Sequence, residues 1–151
     1  MLSTPVTVGR RLLVVLEPGD EVVTALATAC RDHGVRQAAV TAFLGAFTRV
    51  ELIGTADPVA DPDLPLPRSV VVHHVEGTAS GTVAPGPDGD LVVHLHAAVG
   101  VKGAAALGYA GHVLSATTHY TGEVLLEELH GVELVRRPDE RAHGIPTLRV
   151  P

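Results

Sequence analysis

The chain has 151 residues, of which 46% are hydrophobic, and its 11 basic and 17 acidic side chains give a formal charge of −6. That length and apolar content suit a single domain over 1–151, able to bury a core without disulfide staples. The lone cysteine, Cys30, excludes an intrachain disulfide. An acidic chain with Lys102 as its only lysine, and with no tryptophan, argues against nucleic acid as a partner and against a base-stacking platform.

From the N-terminus, Arg11 to Leu16 reads as a short buried strand, stopped by Pro18-Gly19. That apolar run is too short for a signal segment or a membrane span, so no membrane association and a cytoplasmic location are expected. A helix follows: Asp20 is placed to cap it, and Val22, Val23, Leu26, Ala29 and Cys30 recur at helical spacing. Arg31 and His33 fall in its last turn, and Gly34 ends it. Cys30, on the apolar side, reads as a small core residue.

Gln37 to Phe43 and Phe47 to Gly54 read as two strands around Leu44-Gly45-Ala46, where small residues suggest a bend or a close backbone approach. The proline-rich stretch Ala56 to Arg68 reads as a long surface connection. Strands are then expected at Ser69 to Glu76 and Thr78 to Ala84. Pro85 to Gly89 is a turn, and Leu91 to Val99 is the next strand. A Gly/Ala-rich connection, Gly100 to Gly111, leads to strands at His112 to Thr117, Gly122 to Leu129 and near Glu133 to Arg137. Short strands in meander order with one good helix predict an α+β fold: a mostly antiparallel sheet of seven or eight short strands with the helix packed on it. The glycines do not form a phosphate loop, and no Gly-x-Ser-x-Gly is present.

The most informative segment is Leu91 to Val99. His94 and His96, two apart on a strand, project from one face, while Leu91, Val93, Leu95, Ala97 and Val99 form an apolar stripe on the other. The stripe takes the core, and the histidines face a cleft, an interface or solvent. Imidazole is the commonest protein metal ligand, and His112 follows after the glycine-rich connection. Three histidines with an open fourth position suit zinc that binds water or a substrate. His73 and His74, adjacent on a strand, should point to opposite faces, so at most one could be a ligand. His33, His119, His130 and His143 read as solvated. Glu123, Glu127, Glu128 and Asp139 are candidate general bases whose plainer role is rim charge. Tyr109 is a candidate to line the same cleft as His112. Arg10-Arg11 and the group Arg136, Arg137, Arg141 read as solvated faces or intersubunit pairs.

Several segments in order, Arg11 to Asp20, Thr41 to Ala46, His94-Leu95-His96, Gly111-His112, Thr121 to Val124 and Leu134 to Asp139, resemble the PPC domain, the plant and prokaryote conserved domain. The resemblance runs from about Arg10 to the C-terminus and implies a compact domain with a mostly antiparallel sheet, assembled as a homotrimer. It also implies a divalent metal ion, zinc by ligand type, on His94, His96 and His112. Ala110-Gly111-His112 stands where the family has Gly-Gly-His. Plant members carry AT-hook segments beside this domain. No Arg-Gly-Arg core occurs here, so the family's DNA label transfers poorly. The leading expectation is a metal-binding protein with a regulatory or ligand-sensing role toward a small molecule. The alternatives are a metal-dependent enzyme using the open coordination position, and a DNA-associated protein.

Overall fold

The computed structural model describes residues 1–54 and 70–150, so the proline-rich connection expected at Ala56 to Arg68 lies outside the described residues. In chain order the elements are β1 (Thr7–Leu16), α1 (Val22–Asp32), β2 (Ala38–Ile53), β3 (Val70–Pro85), β4 (Leu91–Val101), β5 (Gly108–His130), β6 (Val135–Pro138), a 3-10 turn (Glu140–Ala142) and β7 (Pro146–Arg149). The main sheet runs β1-β5-β2-β3-β4, and β4 pairs again with β5, so β5, β2, β3 and β4 form a closed circuit with β1 beside it. Every pairing between these strands is antiparallel. The expected α+β architecture, a mostly antiparallel sheet with one helix on it, is what the described residues form.

The strands are longer than the sequence suggests. The breaks expected near Gly45, Gly77 and before Gly122 fall inside the continuous strands β2, β3 and β5. Gly45 lies opposite Gly77 on one side and Gly122 on the other, so three glycines form a row across three strands. A side chain at Gly45 would press on Phe43 and Phe47, whose rings pack edge to face 5.8 Å apart over it. Glycine in a strand marks a sharp bend or close approach as readily as an end, and here it lets a few long strands curl into a closed sheet. β1 is also not buried on both faces. It is the strand outside the circuit, and its Leu13 and Val15 stay exposed while Leu16 enters the core.

The core fills the circuit. Val72, Val75, Val83, Val93, Leu95, Val99, Val113 and Val124 point inward, and Phe43, Phe47 and Val50 join them. Helix α1 packs Val22, Leu26, Ala27 and Cys30 into the same core, against β5, β4 and β1. Its N-terminus is capped by Glu21 rather than Asp20. The Glu21 carboxylate accepts from Thr24 N at 2.8 Å and from Ala116 N at 3.2 Å, so one longer side chain closes the helix and ties it to β5. The shorter Asp20 instead accepts from Glu17 N. At the other end Gly34 adopts φ +66°, with Val35 N donating to Cys30 O and Gly34 N to Arg31 O, the Schellman closure expected of a glycine there.

Two tests follow from this packing. At Gly81, opposite Leu95, a Cβ would overlap the His94 carbonyl oxygen, which is backbone and cannot swing aside. Gly81→Ala should therefore cost about 1–3 kcal/mol in urea unfolding, the usual range for overpacking. Gly108→Ala, whose Cβ would meet nothing closer than 3.7 Å, should stay within about 0.5 kcal/mol of wild type; equal effects at the two sites would refute the close approach. The second concerns Glu128, whose carboxylate accepts two hydrogen bonds from Arg10, at 2.8 and 3.1 Å. Arg10 pulls its pKa from 4.5 to about 2, with His130 adding to the pull. The folded state thus holds this proton less tightly than the unfolded chain. The stabilisation is present above about pH 4.5 and fades as pH falls toward 2. Arg10→Ala should destabilise the protein at pH 7 and flatten the acid limb of a stability–pH profile; an unchanged limb would contradict the pairing.

Candidate metal centre

Strand β4 alternates as its sequence suggests. Val93, Leu95, Ala97 and Val99 are buried in the circuit, and His94 and His96 stand on the outer face. Strand β5 supplies the third imidazole. His112 lies directly opposite His96 across the β4–β5 seam and opposite Ile53 of β2 on its other side, so it sits where β5 is paired on both edges. Directly opposed side chains on one face of an antiparallel pair have Cβ atoms about 4.5–5.5 Å apart, and His94 is the diagonal neighbour. The ring centroids are 5.1 Å apart for His94 and His96, 4.8 Å for His94 and His112, and 5.4 Å for His96 and His112.

Each ring offers a nitrogen, and the three nitrogens lie within 4.8 Å of one another. Zinc held at about 2.0–2.1 Å in tetrahedral geometry wants nitrogens roughly 3.3 Å apart, so ring rotations must draw the set together around an ion. The donors fit the ion in kind, and two of them in charge state. Burial, then the Arg136 guanidinium and the other two histidines, lower the His94 pKa from 6.5 to about 4. Burial, then His96 and Arg136, also lower that of His112. Neutral imidazoles are the metal-binding form. Three imidazole nitrogens, with no carboxylate or thiolate joining them among the described residues, suit zinc and leave a position open for an exogenous ligand.

Arg136 is the residue the sequence did not bring to this site. Gln37 anchors the chain leaving β5: its Nε2 donates to Leu129 O and Val132 O, and its Oε1 accepts from Leu134 N. Strand β6 then runs alongside β3. There Arg136 is buried and its Nη2 donates to Thr82 Oγ1 at 2.7 Å. Thr82 is the cross-strand partner of His94, so the guanidinium lies beside the histidines and is neither a solvated nor a free surface charge. The one available sequence signal was Arg136 alternating with Leu134 in a short apolar segment.

Other candidates fall elsewhere. His73 and His74 are both exposed rather than on opposite faces, because His74 has φ 50°, a left-handed turn of the backbone that breaks the alternation. His74 meets the His119 ring at 5.6 Å instead of the metal cluster. Tyr109 is opposite Val99 and packs against the core, on the face away from His112. Glu127 pairs with Arg11, Glu128 with Arg10, and Asp139 with Arg141 and Arg149, which leaves these acids as structural ion pairs. Glu123 lies across from Val15 and Leu44 on an exposed face.

The model of the Plants and Prokaryotes Conserved (PCC) domain matches residues 3–130. Among solved structures, the chain superposes on a plant- and prokaryote-conserved protein of Pyrococcus horikoshii with a TM-score of 0.76 and 19% identity, covering 97% of each chain. It superposes on a metal-containing protein of Archaeoglobus fulgidus with a TM-score of 0.77 and 23% identity, covering 96% of this chain and 97% of that one. For a "Putative DNA-binding protein" of Ralstonia eutropha JMP134 the values are 0.76 and 22%, with 92% and 90% coverage. At these identities the likeness speaks for the fold. No curated protein matches the chain significantly. With its family model spanning most of the sequence and the same fold in these structures, the chain belongs to the Plants and Prokaryotes Conserved (PCC) domain family.

Proposed function

We propose that this protein binds one divalent metal ion, zinc, through His94, His96 and His112, and that the open coordination position receives a small-molecule ligand in a regulatory or ligand-sensing role. The observation that carries this is the convergence of three imidazole nitrogens within 4.8 Å from two strands joined at one seam. A metal-containing structural neighbour supports it. The bound ion would supply a Lewis acid facing solvent. Among the described residues no carboxylate joins the three imidazoles, so a binding role is favoured over hydrolysis with a protein general base. The −6 charge and the lone lysine weigh against DNA as the ligand.

We also propose that the chain works as a homotrimer. Leu13 and Val15 of β1 and Leu44 of β2 are 71%, 59% and 63% exposed, and they flank the same stretch of β5 around Glu123 and Leu125. An apolar strip of this kind on a sheet face suits contact with another copy.

Elemental analysis of untagged protein should return about one zinc per chain, and His94→Ala or His96→Ala should lose most of it. Equal metal in variants and wild type would remove the site. Light scattering should return three times the chain mass, and a monomer mass would remove the assembly.

A further inference from the structure

Arg10, Arg11, Arg49, Arg141 and Arg149 each face a carboxylate. Among the described residues Arg136 faces none, although it is the one arginine they bury, at 5% exposure. Among the described residues its one hydrogen bond goes to the neutral hydroxyl of Thr82, and its Nε has no partner there. Burial weakens its hold on the proton, and among the described residues no anion offsets the loss of water. A cation withdrawn from water and left without a counter-charge is a costly arrangement. The fold nevertheless builds it, with the three hydrogen bonds of Gln37 fixing the chain just ahead of β6. The charge sits next to the three histidines, where it acts on both His94 and His112.

We propose that Arg136 is the anion-binding half of the site, and that the ligand of the three-histidine centre is a small carboxylate whose oxygen accepts from the guanidinium. The metal's share of this contact rests on the metal-binding reading above, whereas Arg136's share does not. A planar guanidinium edge matches a carboxylate and forms charge-assisted hydrogen bonds about twice as strong as neutral ones. A phosphate, with more oxygens and charge, calls for more donors than the described residues offer here. The side chains opposite His94 and His96 are the hydroxyl-bearing Thr82 and Ser80. Lys102 is engaged with Glu76, and the α1 N-terminus is closed by Glu21. Arg136 thus confers preference for a carboxylate on a site that three imidazoles alone would leave indifferent to its exogenous ligand.

The test is a titration of metal-free and zinc-loaded wild-type protein with sodium acetate, followed by the Arg136 Nε–H resonance in ¹⁵N NMR. Sodium phosphate and sodium chloride at matched ionic strength serve as comparators. Acetate should shift that resonance saturably and bind about tenfold or more tightly than chloride, in line with a charge-assisted contact. Arg136→Gln and Arg136→Lys should each weaken acetate binding by about tenfold or more, since lysine keeps the charge but loses the planar fork. Both variants should keep the zinc content of wild type. A resonance that acetate leaves unmoved in both forms, or variants that bind acetate as wild type does, would overturn the proposal. Phosphate binding more tightly than acetate would overturn the carboxylate assignment. If the protein holds no zinc but acetate still shifts Arg136, the metal reading fails and the anion site stands. If zinc is held and acetate does nothing, the reverse is true.

Discussion

Everything at the candidate site depends on the β4–β5 pairing that closes the sheet. His94 and His96 come from one strand, and β5 lies at the far side of an order that runs through β2 and β3 before reaching β4. Only the added ladder from His96–His112 to Gly100–Gly108 brings the third imidazole opposite His96 and diagonal to His94. The ladder also decides the face. With Val93, Leu95, Ala97 and Val99 committed to the interior, the intervening histidines have no choice but the outside. Hydrophobic burial on one side of β4 therefore orients the metal-binding chemistry on the other.

Closure places demands on the strands that form it. Long strands can curl into so small a circuit only if they approach closely, and the row Gly122–Gly45–Gly77 leaves room where side chains would press on Leu16, on Phe43 and Phe47, and on the Ala98 carbonyl. Gly81 and Gly111 allow equally close backbone approaches, to His94 and Ile53, on either side of the histidines. The C-terminal hairpin of β6 and β7 is fixed by Gln37 and by the Asp139 pairs with Arg141 and Arg149. It lays Arg136 over Thr82 at the edge of the site. The charge at the site is thus set by a segment remote in sequence from the histidine strand.

What the sequence reveals follows from how local the cause is. The alternation of β4 and the Schellman end of α1 depend on neighbouring residues, and both are legible. The helix start is misread by one residue, because Glu21 caps it by reaching Thr24 and Ala116 together, a choice made by β5. Glycines at Gly45 and Gly77 look like strand ends because the partner strands that need them are not visible in sequence. His73-His74 looks like an opposed pair because nothing local announces a left-handed φ at His74. His112 joins the pair through the family resemblance and the ladder, not through spacing. Arg136 looks like an ordinary surface arginine, since its burial depends on the register of β6 against β3.

Whether one metal ion sits on these three imidazoles is read out by X-ray absorption spectroscopy of the zinc-loaded protein. The expected first shell is three imidazole nitrogens at about 2.0–2.1 Å and one further light atom, with the multiple scattering of histidine rings. A shell of oxygen alone, or one unchanged when His94, His96 and His112 are replaced together, would contradict it.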